Sequence, residues 1–247
     1  MNSMAGSPRA LRFDEAAIKR GAGNLRHPLA RALLALTFTT GIVDAVSYLA
    51  LGRVFTANMT GNVVLLGFGI ASSGGLPVVA PIVSLGAFLV GAGAGGFLVR
   101  RLAERHPSLV ARALAIETSL LVIAAVVAAA TSIHPGNASA YALIVLMASA
   151  MGVRNAVARN LAVPDLTTTV LTMTLTGFAA ESRLAGGSGK GSLRRLAAVL
   201  AMLTGAIVGA LLLKASVFAP LGLAAALALA TWLVYVPAAI RLGGKAQ

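Results

Sequence analysis

The 247-residue chain contains no cysteine and only three histidines. The absence of cysteine excludes disulfides, thiolate nucleophiles and cysteine-ligated metals. The histidines lie far apart at His27, His106 and His134, and without a paired spacing they predict no metal site on a helix. We therefore expect no metal, no cofactor and no enzymatic activity.

Charged residues are also scarce, at 11% of the chain against roughly 25% in soluble domains. Hydrophobic residues make up 58%, and a chain this apolar cannot cover a surface that faces water. Its apolar runs are continuous rather than alternating with polar residues, which favours helices over a barrel. The composition therefore predicts an all-α, polytopic membrane protein, with the lipid bilayer as its main partner.

The net charge of +13 would suggest a nucleic-acid partner in a soluble protein. Here the basic residues lie between apolar runs, so they indicate membrane topology and contact with anionic lipid head groups at the cytoplasmic face. We expect no nucleic acid. Residues 1–28 form a basic tail that we expect to be cytoplasmic and disordered. The first apolar run is too long for a cleavable signal peptide, so we expect it to be retained.

Six apolar runs are long enough to cross a bilayer, which takes about 20 residues. Two shorter runs have the length of re-entrant or broken segments. The six long runs lie at 29–51, 78–99, 109–131, 139–158, 193–213 and 218–240, and the short ones at 58–71 and 170–182.

The positions of the basic residues favour six crossings over eight. If only the long runs cross and the N-terminus is cytoplasmic, every Lys and Arg except Arg53 and Lys214 lies on the cytoplasmic side. Eight crossings would move eight of the 20 basic residues outside, against the positive-inside rule. We therefore expect a multi-pass protein of the bacterial inner membrane with both termini in the cytoplasm, including a short tail at 241–247.

The two halves of the chain repeat each other. Residues 41–46, Gly-Ile-Val-Asp-Ala-Val, are echoed by Gly-Val-Arg-Asn-Ala-Val at 152–157, and Thr56–Asn62 aligns with Thr168–Thr174. Gly91 and Gly95 align in the same way with Gly205 and Gly209. Each half, 29–132 and 139–240, has three crossings, so the second must enter from the opposite side. The pattern predicts an inverted repeat, an arrangement common among secondary transporters.

The segments around Asp44–Tyr48 and Phe55–Asn62 closely resemble the YoaK family of small bacterial membrane proteins. The resemblance covers most of the chain from about residue 29 onward. It implies a membrane protein and supplies no substrate. Met173 follows Thr172 where the family pattern commonly has glycine, which argues against a close backbone approach there.

Asp44 is the most informative polar residue, because an acid inside a spanning helix usually faces a cavity or a partner. It could carry a proton or bind a cation, or it could be a structural acid bonded to Thr or Asn or paired with Arg154. Its counterpart in the repeat is Asn155, which would flank the same site. For Arg154 we favour a position marking the cytoplasmic end of its helix. Glu117 could join a relay with Asp44, but we favour a pair with Arg112 or Arg31.

The short segments carry the other candidates for a substrate or ion pathway. Their amides and hydroxyls could bind a solute or satisfy backbone groups at a broken helix, or could simply hold helices together. The full candidate set is Asp44, Tyr48, Thr56, Asn58, Thr60, Gly61, Asn62, Asn155, Thr168, Thr172 and Thr174. We interpret Gly91, Gly95, Gly205 and Gly209 as helix-packing positions.

The leading functional hypothesis is a small-solute or ion transporter, or permease, with its site between the repeats near Asp44. A structural or assembly protein without transport activity is the main alternative. An intramembrane enzyme is the least favoured, because no nucleophile–base pair or metal cluster is visible in the sequence. Because six short spans make a small protein, a homodimer is a further expectation.

Overall fold

The computed structural model describes residues 28–72, 74–102, 106–161, 171–189 and 191–244. In these ranges the regular structure is helical: eight α-helices and one short 3-10 turn at Arg183–Ala185. The α-helices are α1 (Pro28–Ala50), α2 (Met59–Ile70), α3 (Val79–Leu102), α4 (His106–Ala130), α5 (Ala138–Leu161), α6 (Leu171–Ala180), α7 (Ser192–Leu212) and α8 (Phe218–Gly244).

Six of these helices are long and apolar enough to cross a membrane: α1, α3, α4, α5, α7 and α8. At 1.5 Å per residue, a helix of about 20 residues spans the roughly 30 Å of bilayer hydrocarbon. The remaining two, α2 and α6, have 12 and 10 residues and are too short to cross in this way. The prediction of an all-α polytopic bundle with six long and two short helices is therefore confirmed.

Each helix of the first half makes the same contacts as its counterpart in the second half. Helix α1 packs most extensively on α7, and its counterpart α5 packs on α3. Helices α1 and α8 contact each other as α5 and α4 do, and each short helix packs on the long helix that follows it. The pair α4 and α8 completes the bundle. Contacts of this kind are expected if an internal two-fold axis relates the halves.

Glycines make the close crossings within this arrangement. A Cβ added to Gly41 on α1 would collide with the Met202 carbonyl on α7, and one added to Gly152 on α5 would collide with the Phe88 carbonyl on α3. The predicted packing residues lie at the same crossings: Gly205 and Gly209 meet the backbone of α1, and Gly91 and Gly95 meet that of α5. Their assignment to helix packing agrees with these contacts.

The long helices differ in how much of their surface they bury. Helices α1 and α5 are the most enclosed, while α3 and α7 turn most of their surface outward. Large apolar side chains on that surface are exposed, among them Leu89 and Val90 on α3 and Leu203 and Leu211 on α7. Such a surface is suited to lipid rather than to water.

Three expectations lie outside the described residues: the disorder of the N-terminal tail through residue 27, the position of Thr168, and the last residues of the C-terminal tail. The boundaries of the two repeats and of the tails stay predictions.

Candidate functional site

Asp44 lies on α1, near its C-terminal end, and is buried, with 6% of its surface exposed. Its Oδ1 accepts hydrogen bonds from the backbone N–H groups of Thr56, at 3.1 Å, and Ala57, at 2.8 Å. Its Oδ2 is also buried but has no hydrogen-bond partner in the described part of the chain. Oδ1 is therefore held by the loop backbone, whereas Oδ2 has no hydrogen bond of good geometry from the described residues, although the Asn58 N–H also stabilises the carboxylate.

The loop between α1 and α2 brings these N–H groups to Asp44. The chain leaves α1 through two residues with left-handed backbone, Gly52 (φ 106°) and Arg53 (φ 56°), and turns back along the end of the helix. Helix α2 then begins at Met59, where the Oδ1 of Asn58 accepts a hydrogen bond from the Gly61 N–H at 3.2 Å. Successive N–H groups in such a turn form a concavity that favours negative charge.

Asn62 fixes the same loop from the α2 side and is fully buried. Its Oδ1 accepts from the Phe55 N–H at 2.8 Å, and its Nδ2 donates to the Phe55 carbonyl at 2.6 Å and to Ser84 Oγ at 3.2 Å. Ser84 Oγ itself donates to the Phe55 carbonyl at 2.6 Å. Asn62 was predicted as a pathway residue, and in these contacts it positions the loop.

Two aromatic rings lie beside the carboxylate. Phe55 stacks on Tyr48 with ring centroids 5.0 Å apart and planes inclined by 24°. Gly61 lets α2 approach this pair, since a Cβ there would lie 2.9 Å from the Phe55 ring. The loop, the start of α2 and the end of α1 therefore form one packed unit around Asp44.

This unit opens onto a cleft between α1 and α7, which belong to different halves of the chain. The cleft has a volume of about 450 Å³, and its lining is mostly apolar. It is lined by Gly41, Asp44, Ala45, Tyr48 and Leu49 from α1, Phe55 and Asn58 from the loop, and Met202, Ala206, Ile207 and Ala210 from α7.

A second polar cluster lies one turn back along α1. The Arg154 Nε donates to Glu117 Oε2 at 2.9 Å, and its Nη2 makes a further short contact with Glu117 Oε1. Its Nη1 donates to the Leu36 carbonyl at 2.8 Å and to Thr40 Oγ1 at 2.7 Å. Both charged side chains are buried. This cluster joins α1, α4 and α5 across the two halves.

These contacts correct two expectations. Glu117 pairs with Arg154 and not with Arg112 or Arg31, both of which are exposed. Arg154 is an interior residue rather than a marker of the helix end. The physical reason is that a carboxylate buried on α4 needs a buried cation, and the tight α4–α5 packing brings the guanidinium to it. Arg154 is therefore not the partner of Asp44.

The described candidates from the second half, Asn155, Thr172 and Thr174, are not among the residues that line the cleft. Asn155 is half-buried and donates to the Met151 carbonyl at 2.8 Å, and its neighbour Ala156 packs on α3 at Gly95. It is not among the described residues that line the cleft, so it does not flank Asp44 as expected. On α6, Thr174 is buried and Thr172 is exposed.

The candidates from the first half lie in or next to the loop between α1 and α2. Thr60, on the first turn of α2, is exposed. Sequence reasoning missed the α7 wall, Met202, Ala206, Ile207 and Ala210. The alignment of Gly205 and Gly209 with Gly91 and Gly95 indicated close packing there but not which helix would be the partner.

Comparison with known proteins agrees with this architecture. A family model described as "Protein of unknown function (DUF1275)" matches residues 32–234. The UPF0700 transmembrane protein YoaK of Bacillus subtilis (strain 168) is 39% identical over 142 residues, 57% of this chain and 61% of the relative. The match therefore spans less than two thirds of that relative. No solved structure matches the chain. The resemblance noted from the motifs is confirmed.

Proposed function

The chain belongs to the DUF1275 family of proteins of unknown function, and on that premise we propose that it transports a small solute or an ion. The site is the α1–α7 cleft at Asp44. The observation that carries the proposal is the buried Oδ2 of Asp44, which has no hydrogen-bond partner in the described part of the chain.

The energetics of burial support a site at Asp44. An unpaired charge in a low-dielectric interior costs on the order of several kcal/mol. A purely structural acid would be expected to satisfy both oxygens, as Glu117 does with Arg154. Asp44 satisfies only one oxygen, and its cost is offset when a proton or a cation binds the other.

The architecture also supports transport. The cleft lies between helices of two repeated halves, beside a short helix, which is where inverted-repeat transporters place their sites. The same interfaces, α1 with α7 and α5 with α3, could open in turn by a rocking motion of one half against the other. Glycines leave no bulky side chains between the helices at these crossings, which suits such a motion.

A structural or assembly role without transport is the competing function, and one observation favours it. Asn62 and the Glu117–Arg154 pair were candidates for a polar path, and their described bonds hold loops and helices together. Under that function, Asp44 would serve only to anchor the loop at Thr56 and Ala57. No contact in the described ranges favours an intramembrane enzyme.

We place the chain in the bacterial inner membrane with both termini in the cytoplasm, on the strength of its basic-residue distribution. Anionic lipid head groups would then contact the cytoplasmic loops, and a homodimer stays a prediction. Because the chain has no cysteine, single cysteines can report topology by labelling with an impermeant thiol reagent. Cysteines at Ser72 and Ser132 should label on intact cells if six helices cross. They should be protected if eight segments cross.

Two further positions serve as controls, because both topologies predict the same result for them. A cysteine at Ser216 should label from outside, and one at Ser188 should label only after the cells are opened. Protection of Ser72 on intact cells would contradict the inverted repeat and with it the architectural support for transport.

Transport itself is tested in proteoliposomes. A potassium diffusion potential set by valinomycin should drive influx of protons, sodium or a small organic ammonium above the rate in empty liposomes. Asp44→Asn should reduce that influx to the empty-liposome rate, because it removes the charge that attracts the cation. Ser119→Ala is the matched control, since Ser119 is exposed on α4 and its hydroxyl donates only within its own helix, to Ala115. Influx of protons, sodium and the organic ammonium all at the empty-liposome rate with the folded wild-type protein would favour the structural role.

A further inference from the structure

We propose that the α1–α7 cleft binds a hydrophobic organic monocation, such as a substituted ammonium, with its charge on Asp44 and its apolar part against the aromatic pair and α7. The inference rests on the proposed function, because it names the substrate class of the same site. It follows from the charge balance, the chemistry of the lining and the position of the opening.

The charge balance sets the sign and the size of the ligand's charge. Among the described residues the buried acidic and basic side chains are Asp44, Glu117, Arg154 and Arg195. Arg195 pairs with Glu181 and does not line the cleft. Glu117 and Arg154 neutralise each other through two contacts. Asp44 is left with one negative charge, which the N–H groups of Thr56, Ala57 and Asn58 and the more distant Arg154 stabilise but do not cancel. A ligand with one positive charge completes the balance, and an anion is excluded.

The lining distinguishes an organic cation from an inorganic one. Alkali cations are bound in proteins by several oxygens that replace the hydration shell. The side chains of this cleft offer oxygens only from Asp44, Tyr48 and Asn58, and the Asn58 oxygen already caps α2. The remaining lining side chains are apolar, with Phe55 stacked on Tyr48. A carboxylate beside aromatic faces is the environment that recognises ammonium groups through ion pairing and cation–π attraction.

The position of the opening indicates where the ligand comes from. Leu49 and Ile207 lie at the cleft and are 60% and 49% exposed, on the surface that α7 turns toward lipid. A cation that partitions into the bilayer can therefore enter between α1 and α7. The volume, about 450 Å³, lies within the roughly 300–1,000 Å³ usual for ligand pockets. Because Oδ2 is covered, binding requires a neighbouring group at the cleft to move and expose this oxygen.

The test is equilibrium dialysis of benzyltrimethylammonium against the full-length protein in nanodiscs of uncharged phosphatidylcholine, with empty nanodiscs as the blank. We expect saturable binding at one site per chain. Neopentylbenzene, which has the same shape without the charge, should partition equally into nanodiscs with and without protein. Absence of saturable ammonium binding to the folded wild-type protein would overturn the inference.

Two variants place the site. Asp44→Asn should weaken ammonium binding at least ~10-fold. Ala210→Phe should do the same by filling the cleft from α7 while leaving Asp44 in place, which keeps the test valid if Asp44→Asn does not fold. Ser119→Ala should bind as the wild type does. Equal binding by the wild type and by either folded cleft variant would refute the location.

Competition separates organic from inorganic cations. Sodium and potassium at 100 mM should not displace the ammonium beyond the effect of a large-cation salt, N-methylglucamine chloride, at equal ionic strength. Specific displacement by either metal would overturn the organic class. Ammonium binding without uptake of the ammonium, protons or sodium into proteoliposomes would leave the inference standing and count against transport. Asp44-dependent proton or sodium flux without ammonium binding would support transport and overturn the inference.

Discussion

Replacing Glu117 with glutamine removes the negative partner of Arg154 and keeps the side-chain volume nearly unchanged. In the wild type the guanidinium donates to both oxygens of Glu117 and also to the Leu36 carbonyl and Thr40 Oγ1. After the change the last two contacts remain, but no carboxylate is left in contact with the positively charged guanidinium. The two side chains are only 1% and 5% exposed, so water cannot replace the lost partner.

The expected cost is about 3–5 kcal/mol, the range for breaking a buried ion pair by removing one partner. Every 1.4 kcal/mol is tenfold in an equilibrium constant, so the ratio of folded to unfolded protein should fall by about two to four orders of magnitude. Arg154→Met should cost a similar amount, because it leaves Glu117 as the unpaired charge. The double variant Glu117→Leu with Arg154→Met should cost clearly less than the sum, because it leaves no uncompensated charge.

The measurement is reversible unfolding in mixed micelles of increasing SDS fraction, followed by the fluorescence of Trp232, for the wild type, both single variants and the double variant. The four values form a double-mutant cycle, which isolates the coupling between the two side chains. A Glu117→Gln protein within about 1 kcal/mol of the wild type would refute the reasoning, as would single costs that simply add in the double variant.

Three further predictions use the same unfolding assay. Gly205→Leu should prevent the α1–α7 crossing and abolish the folded protein, because a side chain there meets the α1 backbone. Gly93→Leu on α3, the counterpart of α7, is the control and should be tolerated, because open space surrounds that position. Asn62→Ala should destabilise by about 1–3 kcal/mol, since it leaves the Phe55 N–H without its partner while Ser84 still donates to the Phe55 carbonyl. An effect below about 0.5 kcal/mol would contradict the role of Asn62 in holding the loop. Trp232→Phe should cost only about 0.5–1.5 kcal/mol, the price of one hydrogen bond to the Ala111 carbonyl, and because it removes the fluorophore it is followed by circular dichroism.

Sequence patterns predicted the helices well because bilayer thickness sets their length. The apolar run at 193–213 became α7 (Ser192–Leu212), and the short run at 58–71 became α2 (Met59–Ile70). The repeat also predicted contacts: glycines aligned in the two halves make equivalent crossings. These features depend on local composition and spacing, which a single sequence contains.

The partners of individual polar residues could not be predicted in the same way. The bond between Arg154 and Glu117 joins residues 37 positions apart, and its existence depends on how α4 and α5 are rotated against each other. Charge counting assigned both to surface roles because it has no information on that rotation. The contact of Asp44 with backbone N–H groups was equally hidden, since the sequence predicts the loop but not its return toward the helix.

The pairing of α1 with α7 also determines the order in which the protein can assemble during synthesis. Helix α1 is made before its main partners, α7 and α8. About 140 residues separate α1 from α7, and at roughly 5–20 residues per second their synthesis takes on the order of ten seconds. During that time Asp44 and the threonines of α1 lack the enclosing wall they have in the finished bundle. Until the second half is made, the polar face of α1 is therefore without the helices that bury it in the finished bundle.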